Sequence, residues 1–128
     1  MGSYPKYILQ ITLSILLIYF GFSQILLPEQ WVDYVDFQFL QMINPVYVVL
    51  LNGAVEIFFA ILIFSGVLLL FSASLMGLHI LFIAVLIGMN PIGIRDFAIA
   101  GAFFALASLG SQSMRVSNNQ LNNRRRSG

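Results

Sequence analysis

Cysteine is absent from the 128-residue chain, which excludes disulfides, thiolate nucleophiles, iron–sulfur ligation and covalent haem attachment. Charge is almost as scarce: 9% of the residues are Asp, Glu, Lys or Arg, against about 25% in ordinary soluble domains. The single histidine, His79, cannot supply bis-histidine haem ligation, and with no cysteine behind it no metal site is expected. A formal net charge of +1 gives no electrostatic case for nucleic acid. What fills the chain is apolar: 59% hydrophobic residues and a mean hydropathy of +0.92. A spanning helix needs about 20 predominantly apolar residues, and outside two short polar stretches the sequence holds little else. An all-α integral membrane protein is the expected class, with no room for a soluble domain.

Breakers divide the apolar sequence into four spans. The first, 7–27, follows Lys6 and ends at Pro28, whose ring cannot continue the hydrogen-bond ladder. It is too long for a secretion-signal core and lacks a small-residue cleavage site, so it reads as a retained helix. The second, 46–71, starts after Asn44-Pro45, and a tight turn over 71–74 separates it from the third, 72–89. Asn90-Pro91-Ile92-Gly93 closes the third, and the fourth covers 95–110. Four helices with short connections predict an antiparallel bundle. Lys6, Arg115, Arg124, Arg125 and Arg126 lie beyond one end, whereas Glu29, Asp33, Asp36 and Arg95-Asp96 mark the other. The positive-inside rule then puts both termini in the cytoplasm.

The stretch 29–45 is neither a span nor an ordinary polar loop. Trp31, Val35, Phe39 and Met42 recur at helical spacing, which predicts a segment along the outer interface. There Trp31 and Tyr34 serve as headgroup-depth anchors, or alternatively as a lid over a ligand. From Ser111, the segment "SQSMRVSNNQLNNRRRSG" carries too little apolar surface to offset its ordering entropy, so 111–128 is expected to be a mobile basic tail.

Within "NGAVEIFFAIL", Glu56 lies about ten residues into the second span, near the bilayer midplane. An acidic residue there costs about 2.5–3.5 kcal/mol even on insertion scales, so it must face other helices and either find a partner or be protonated. Asn52 is one turn away on the same face, flanked by the small residues Gly53 and Ala60. Arg95 is the expected ion-pair partner, reaching inward from the fourth helix. His79 lies within about one turn of the depth of Glu56, although the close-contact face of its helix is Ala73, Gly77, Ala84 and Gly88, which makes His79 a packing residue. Tyr19 and Ser23 form a polar strip leading to Gln24, and Asp96 complements the dipole at the first turn of the fourth helix. Glu56 therefore admits two readings, a ligand or proton site and a satisfied polar group that sets helix register.

Three stretches, "YFGFSQILLPEQWVDYV", "NGAVEIFFAILIFSGV" and "IRDFAIAGAFFALAS", resemble the DoxX family (DoxX/DoxD-like small four-helix membrane proteins), and the resemblance covers nearly everything before the tail. Where that family often carries a basic residue after the glycine-containing end of the first helix, this chain has Gln24. The resemblance implies a small subunit of a quinone-linked oxidoreductase in a prokaryotic plasma membrane, with Glu56, Arg95 and Tyr19 near the ring oxygens of a quinone. Wider relatives act as chaperones or cargo receptors, which keeps a noncatalytic assembly or scaffold subunit open as the alternative. Either role involves membrane lipids and a larger membrane protein or a homo-oligomer. A solute carrier is disfavoured, because a single acidic group lies at depth and no inverted repeat or broken helix is evident.

Overall fold

The computed structural model of the protein describes residues 4–35 and 42–128. These are helical throughout, with four helices long and apolar enough to cross a membrane: α1 (Tyr4–Leu26), α2 (Pro45–Ser65), α3 (Leu69–Ile87) and α4 (Pro91–Ser127). Two short 3-10 turns, Pro28–Gln30 and Val32–Val35, follow α1. Asp36 and Phe39 of the expected interfacial segment lie outside the described residues.

Local chemistry explains the boundaries. Asn44 and Asn90 each precede a proline and cap the helix that begins there: Asn44 Oδ1 accepts from Val46 N, and Asn90 Oδ1 from Ile92 N and Gly93 N. An extended Asn cap followed by Pro at the first helical position suits a helix start, because the missing proline N–H would have been unpaired anyway. This moves the start of α4 four residues earlier than 95. The turn between α2 and α3 also lies earlier than 71–74. Gly66 ends α2 at φ +74°, a left-handed conformation that glycine adopts without steric cost, and donates its N–H to Ile63 O.

At the other end of the chain the expected mobile tail is instead helix. α4 runs unbroken for 37 residues, about 55 Å at 1.5 Å per residue, well beyond a hydrocarbon core of about 30 Å. Gln, Met, Arg and Leu in 112–126 are good helix formers, and the final turn carries Arg124, Arg125 and Arg126, which complement the negative helix end. Side chains from Gln112 onward are exposed, so propensity and continuity with the packed part hold this extension, not burial.

Packing is strongest between α1 and α2 and between α3 and α4, with α1–α4 and α2–α3 contacts joining the two pairs. The shared core contains Leu13, Leu17, Ala60, Ile63, Met76 and Phe103. Only 28–33% of each apolar window is buried. Ile8, Ile15, Phe58, Ile61, Phe82 and Phe97 instead point outward, leaving an apolar exterior far larger than a soluble monomer carries. Such an exterior matches lipid. Ala73, Gly77 and Ala84 form the close-contact face of α3, where a β-carbon on Gly77 would fall 2.9 Å from the Phe104 ring, whereas Gly88, expected on that face, lies past the helix end with open space at its β-position.

Candidate functional site

The site begins where α1 and α2 cross. Gly21 and Gly53 let the two backbones approach to a distance that no larger residue would tolerate. Helical side chains lean toward the N-terminus of their own helix. Gln24 on α1 therefore leans back toward the level of Gly21, and Glu56 on α2 back toward the level of Gly53, so the two meet. Gln24 Nε2 donates to Glu56 Oε2 at 3.0 Å, and both residues are almost fully buried, 5% and 6% exposed.

Asn52 closes the circuit. Its Nδ2 donates to Gln24 Oε1 at 2.8 Å and to Glu56 Oε1 at 2.9 Å, one helical turn along α2. Its Oδ1 is 2.7 Å from His79 Nε2. An amide oxygen only accepts, so Nε2 carries the proton in this contact and Nδ1 is the acceptor of a neutral ring. Four side chains from α1, α2 and α3 thus form one connected polar network, and each carboxyl oxygen of Glu56 accepts an N–H. Hydrogen bonds to a charged group contribute about 1.5–3 kcal/mol each, enough to offset the cost of an acid at this depth.

Arg95 is not the partner of Glu56. Its Nε and Nη2 both donate to Oδ1 of the neighbouring Asp96, at 3.0 and 2.9 Å, and its guanidinium carbon lies 4.9 Å from the centre of the Phe20 ring. The early start of α4 puts both residues in its second turn, so Asp96 serves as the counter-ion of Arg95 and does not cap the first turn. His79 is a hydrogen-bonding member of the network, not a packing residue. Tyr19 is 68% exposed on the outer face of α1, away from the network. Ser23 accepts instead from Trp31 Nε1 at 3.1 Å.

A cavity of about 140 Å³ opens over this network. Its apolar walls include Leu17, Val49, Ile80 and Ile99; Gln24, Asn52 and Glu56 form a polar patch, and Arg95 with Asp96 another. Trp31, standing edge-on to Phe20 with ring centroids 5.6 Å apart, and Tyr34 border it from the connecting segment. A cavity of about 150 Å³ holds one benzene-sized ring, so this space admits a ring head and leaves any long substituent outside. Among the described residues no group of three His, Cys, Asp or Glu side chains could hold a metal ion.

Gln24 is the member of the site that the sequence reading named only as the end of the Tyr19–Ser23 strip. The signal was available: a glycine three residues earlier on each helix, in "GFSQ" and "GAVE", marks a close crossing whose one-turn neighbours must meet. No protein-family model, curated protein or solved structure matches the chain.

Proposed function

We propose that this protein is a small DoxX-like membrane subunit of a quinone-linked redox system, in which the cavity between the helices takes the ring head of a quinone. The helices then form an antiparallel bundle with both termini cytoplasmic, in keeping with the basic residues at the Lys6 and Arg115 end. The observation that carries the reading is the connected Gln24–Glu56–Asn52 network, backed by His79, facing a ring-sized apolar cavity. Few, convergent polar groups in an apolar pocket are the usual composition of a site for an organic ligand. A quinone carbonyl needs donors. Gln24 keeps one amide N–H beyond the one given to Glu56, and Arg95 keeps guanidinium N–H groups beyond the two given to Asp96. Glu56 is the cavity-lining group able to exchange a proton with a bound ring, with His79 behind it through Asn52, while electrons would pass to and from a partner protein.

A noncatalytic assembly subunit is the second reading. It is favoured by the part of α4 beyond Met114, which is exposed on all sides and available to a larger membrane protein or to another copy. Trp31, the sole tryptophan, borders the cavity and reports on it directly. Titration of the detergent-solubilised protein with a short-chain benzoquinone is expected to quench Trp31 emission saturably, with affinity about tenfold weaker in Glu56→Gln, the equivalent of about 1.4 kcal/mol. Quenching that is unsaturable, or identical in the variant, overturns the quinone reading. A stoichiometric membrane partner co-purifying without quinone supports the assembly role.

A further inference from the structure

A second cleft, of about 770 Å³, lies at the opposite end of the helices from Glu56. All four helices contribute: the first turns of α1, the last residues of α2, the start of α3, and α4 around Gly110 to Met114. Among the described residues Lys6 is the only charged one lining it. Its Nζ lies 3.4 Å from Ser113 Oγ and 4.9 Å from the centre of the Tyr7 ring, and among the described residues it faces no carboxylate there. Gln10 braces the wall by donating from Nε2 to Phe64 O at 3.0 Å. The rim is apolar and outward-facing, with Tyr7, Leu68, Phe71 and Met114 more than half exposed.

We propose that this cleft binds the headgroup of an anionic phospholipid, with the phosphodiester at Lys6 and the acyl chains along the apolar rim. Three observations converge on that ligand. A lysine without an acidic partner sits where the apolar part of α1 begins, the level at which a spanning helix meets headgroups. Basic pockets between spanning helices suit lipid phosphates. The rim supplies the acyl contacts that a free phosphate could not use. The first turn of α3, which has no side-chain cap, adds unpaired backbone N–H groups on the same side but would not by itself make a site. The inference is independent of what the Glu56 cavity holds.

Binding to the detergent-solubilised full chain is measured by native mass spectrometry during titration with phosphatidylglycerol, with phosphatidylcholine, and with inorganic phosphate. Phosphatidylglycerol is expected to bind preferentially, without competition from millimolar phosphate. Lys6→Gln weakens it about fivefold, the weight of one basic residue at a lipid surface. Lys6→Arg keeps the affinity, and so does the triple variant Arg124→Gln, Arg125→Gln, Arg126→Gln. Ser113→Leu, which narrows the cleft without removing charge, weakens binding as well and serves if Lys6→Gln fails to fold. Equal binding of the two lipids, full competition by phosphate, or loss in the arginine variant with none in Lys6→Gln and Ser113→Leu overturns the proposal.

Discussion

Gly21 and Gly53 face one another across the α1–α2 crossing: a β-carbon on Gly53 would lie 2.8 Å from the Gly21 carbonyl oxygen, and one on Gly21 2.9 Å from that of Gly53. Both obstacles are backbone, which cannot rotate aside as a side chain does. Gly53→Ala must therefore push the helices apart. Overpacking of this kind costs about 1–3 kcal/mol, and the separation also stretches the Gln24–Glu56 contact one turn away. Chemical unfolding in detergent micelles should show the loss. Wild-type stability in Gly53→Ala would mean that the helices cross at a greater distance.

Gln24 and Glu56 stabilise one another, and their single substitutions should differ in sign or size. Gln24→Leu strips a donor from a buried carboxyl, at a cost of about 1–3 kcal/mol. Glu56→Leu removes the buried acid and its desolvation penalty but leaves the Gln24 and Asn52 N–H groups without their acceptor, so the two effects partly cancel. In the Glu56→Leu background Gln24→Leu should cost much less than it does alone. A double-mutant cycle with no coupling between them would separate the two side chains energetically.

The four spans and the asparagine-proline start of α2 were legible because composition and capping act locally, whereas Asn90-Pro91 read as the close of the third span and is instead the start of α4. The α2–α3 turn was not. Leu68, Leu69, Leu70 and Phe71 continue the apolar run straight through it, so hydropathy shows no break, and Gly66 alone marks the reversal. Glu56 and Asn52 could be named because a polar group at depth must be satisfied, but which partner satisfies it depends on helix register and crossing distance. Arg95 attracted the assignment by charge. Its adjacent Asp96 meets that charge without reaching across the molecule.

That local pairing gives a direct test. The coupling free energy between Arg95→Leu and Asp96→Leu should fall at about 0.5–3 kcal/mol, the range for residues in contact, and should exceed the coupling between Arg95→Leu and Glu56→Gln. Asp96 is the more buried of the pair, its side chain 13% exposed against 42% for Arg95. Arg95→Leu should accordingly harm stability more than Asp96→Leu, because it strands the less hydrated charge. The reverse order, or a dominant Arg95–Glu56 coupling in unfolding titrations, would restore the cross-helix ion pair.

Two residues of the α2–α3 turn should respond in opposite directions to substitution. Gly66, at φ +74°, and Leu68, at φ +49°, both occupy the left-handed region, but only glycine does so freely. A β-carbon at Gly66 meets that penalty and also approaches Gln10 Nε2 to 3.3 Å, crowding the amide that holds the end of α2. Gly66→Ala should cost about 1–2 kcal/mol. Leu68→Gly relieves the same strain on the other side of the turn, and against the extra chain entropy of glycine a gain of about 0.5–1 kcal/mol remains. Leu68 is 66% exposed, so little packing is lost with it. Paired thermal unfolding of the two variants in one detergent checks the signs, and destabilisation of both by equal amounts would mean that the turn does not hold Leu68 in a left-handed conformation.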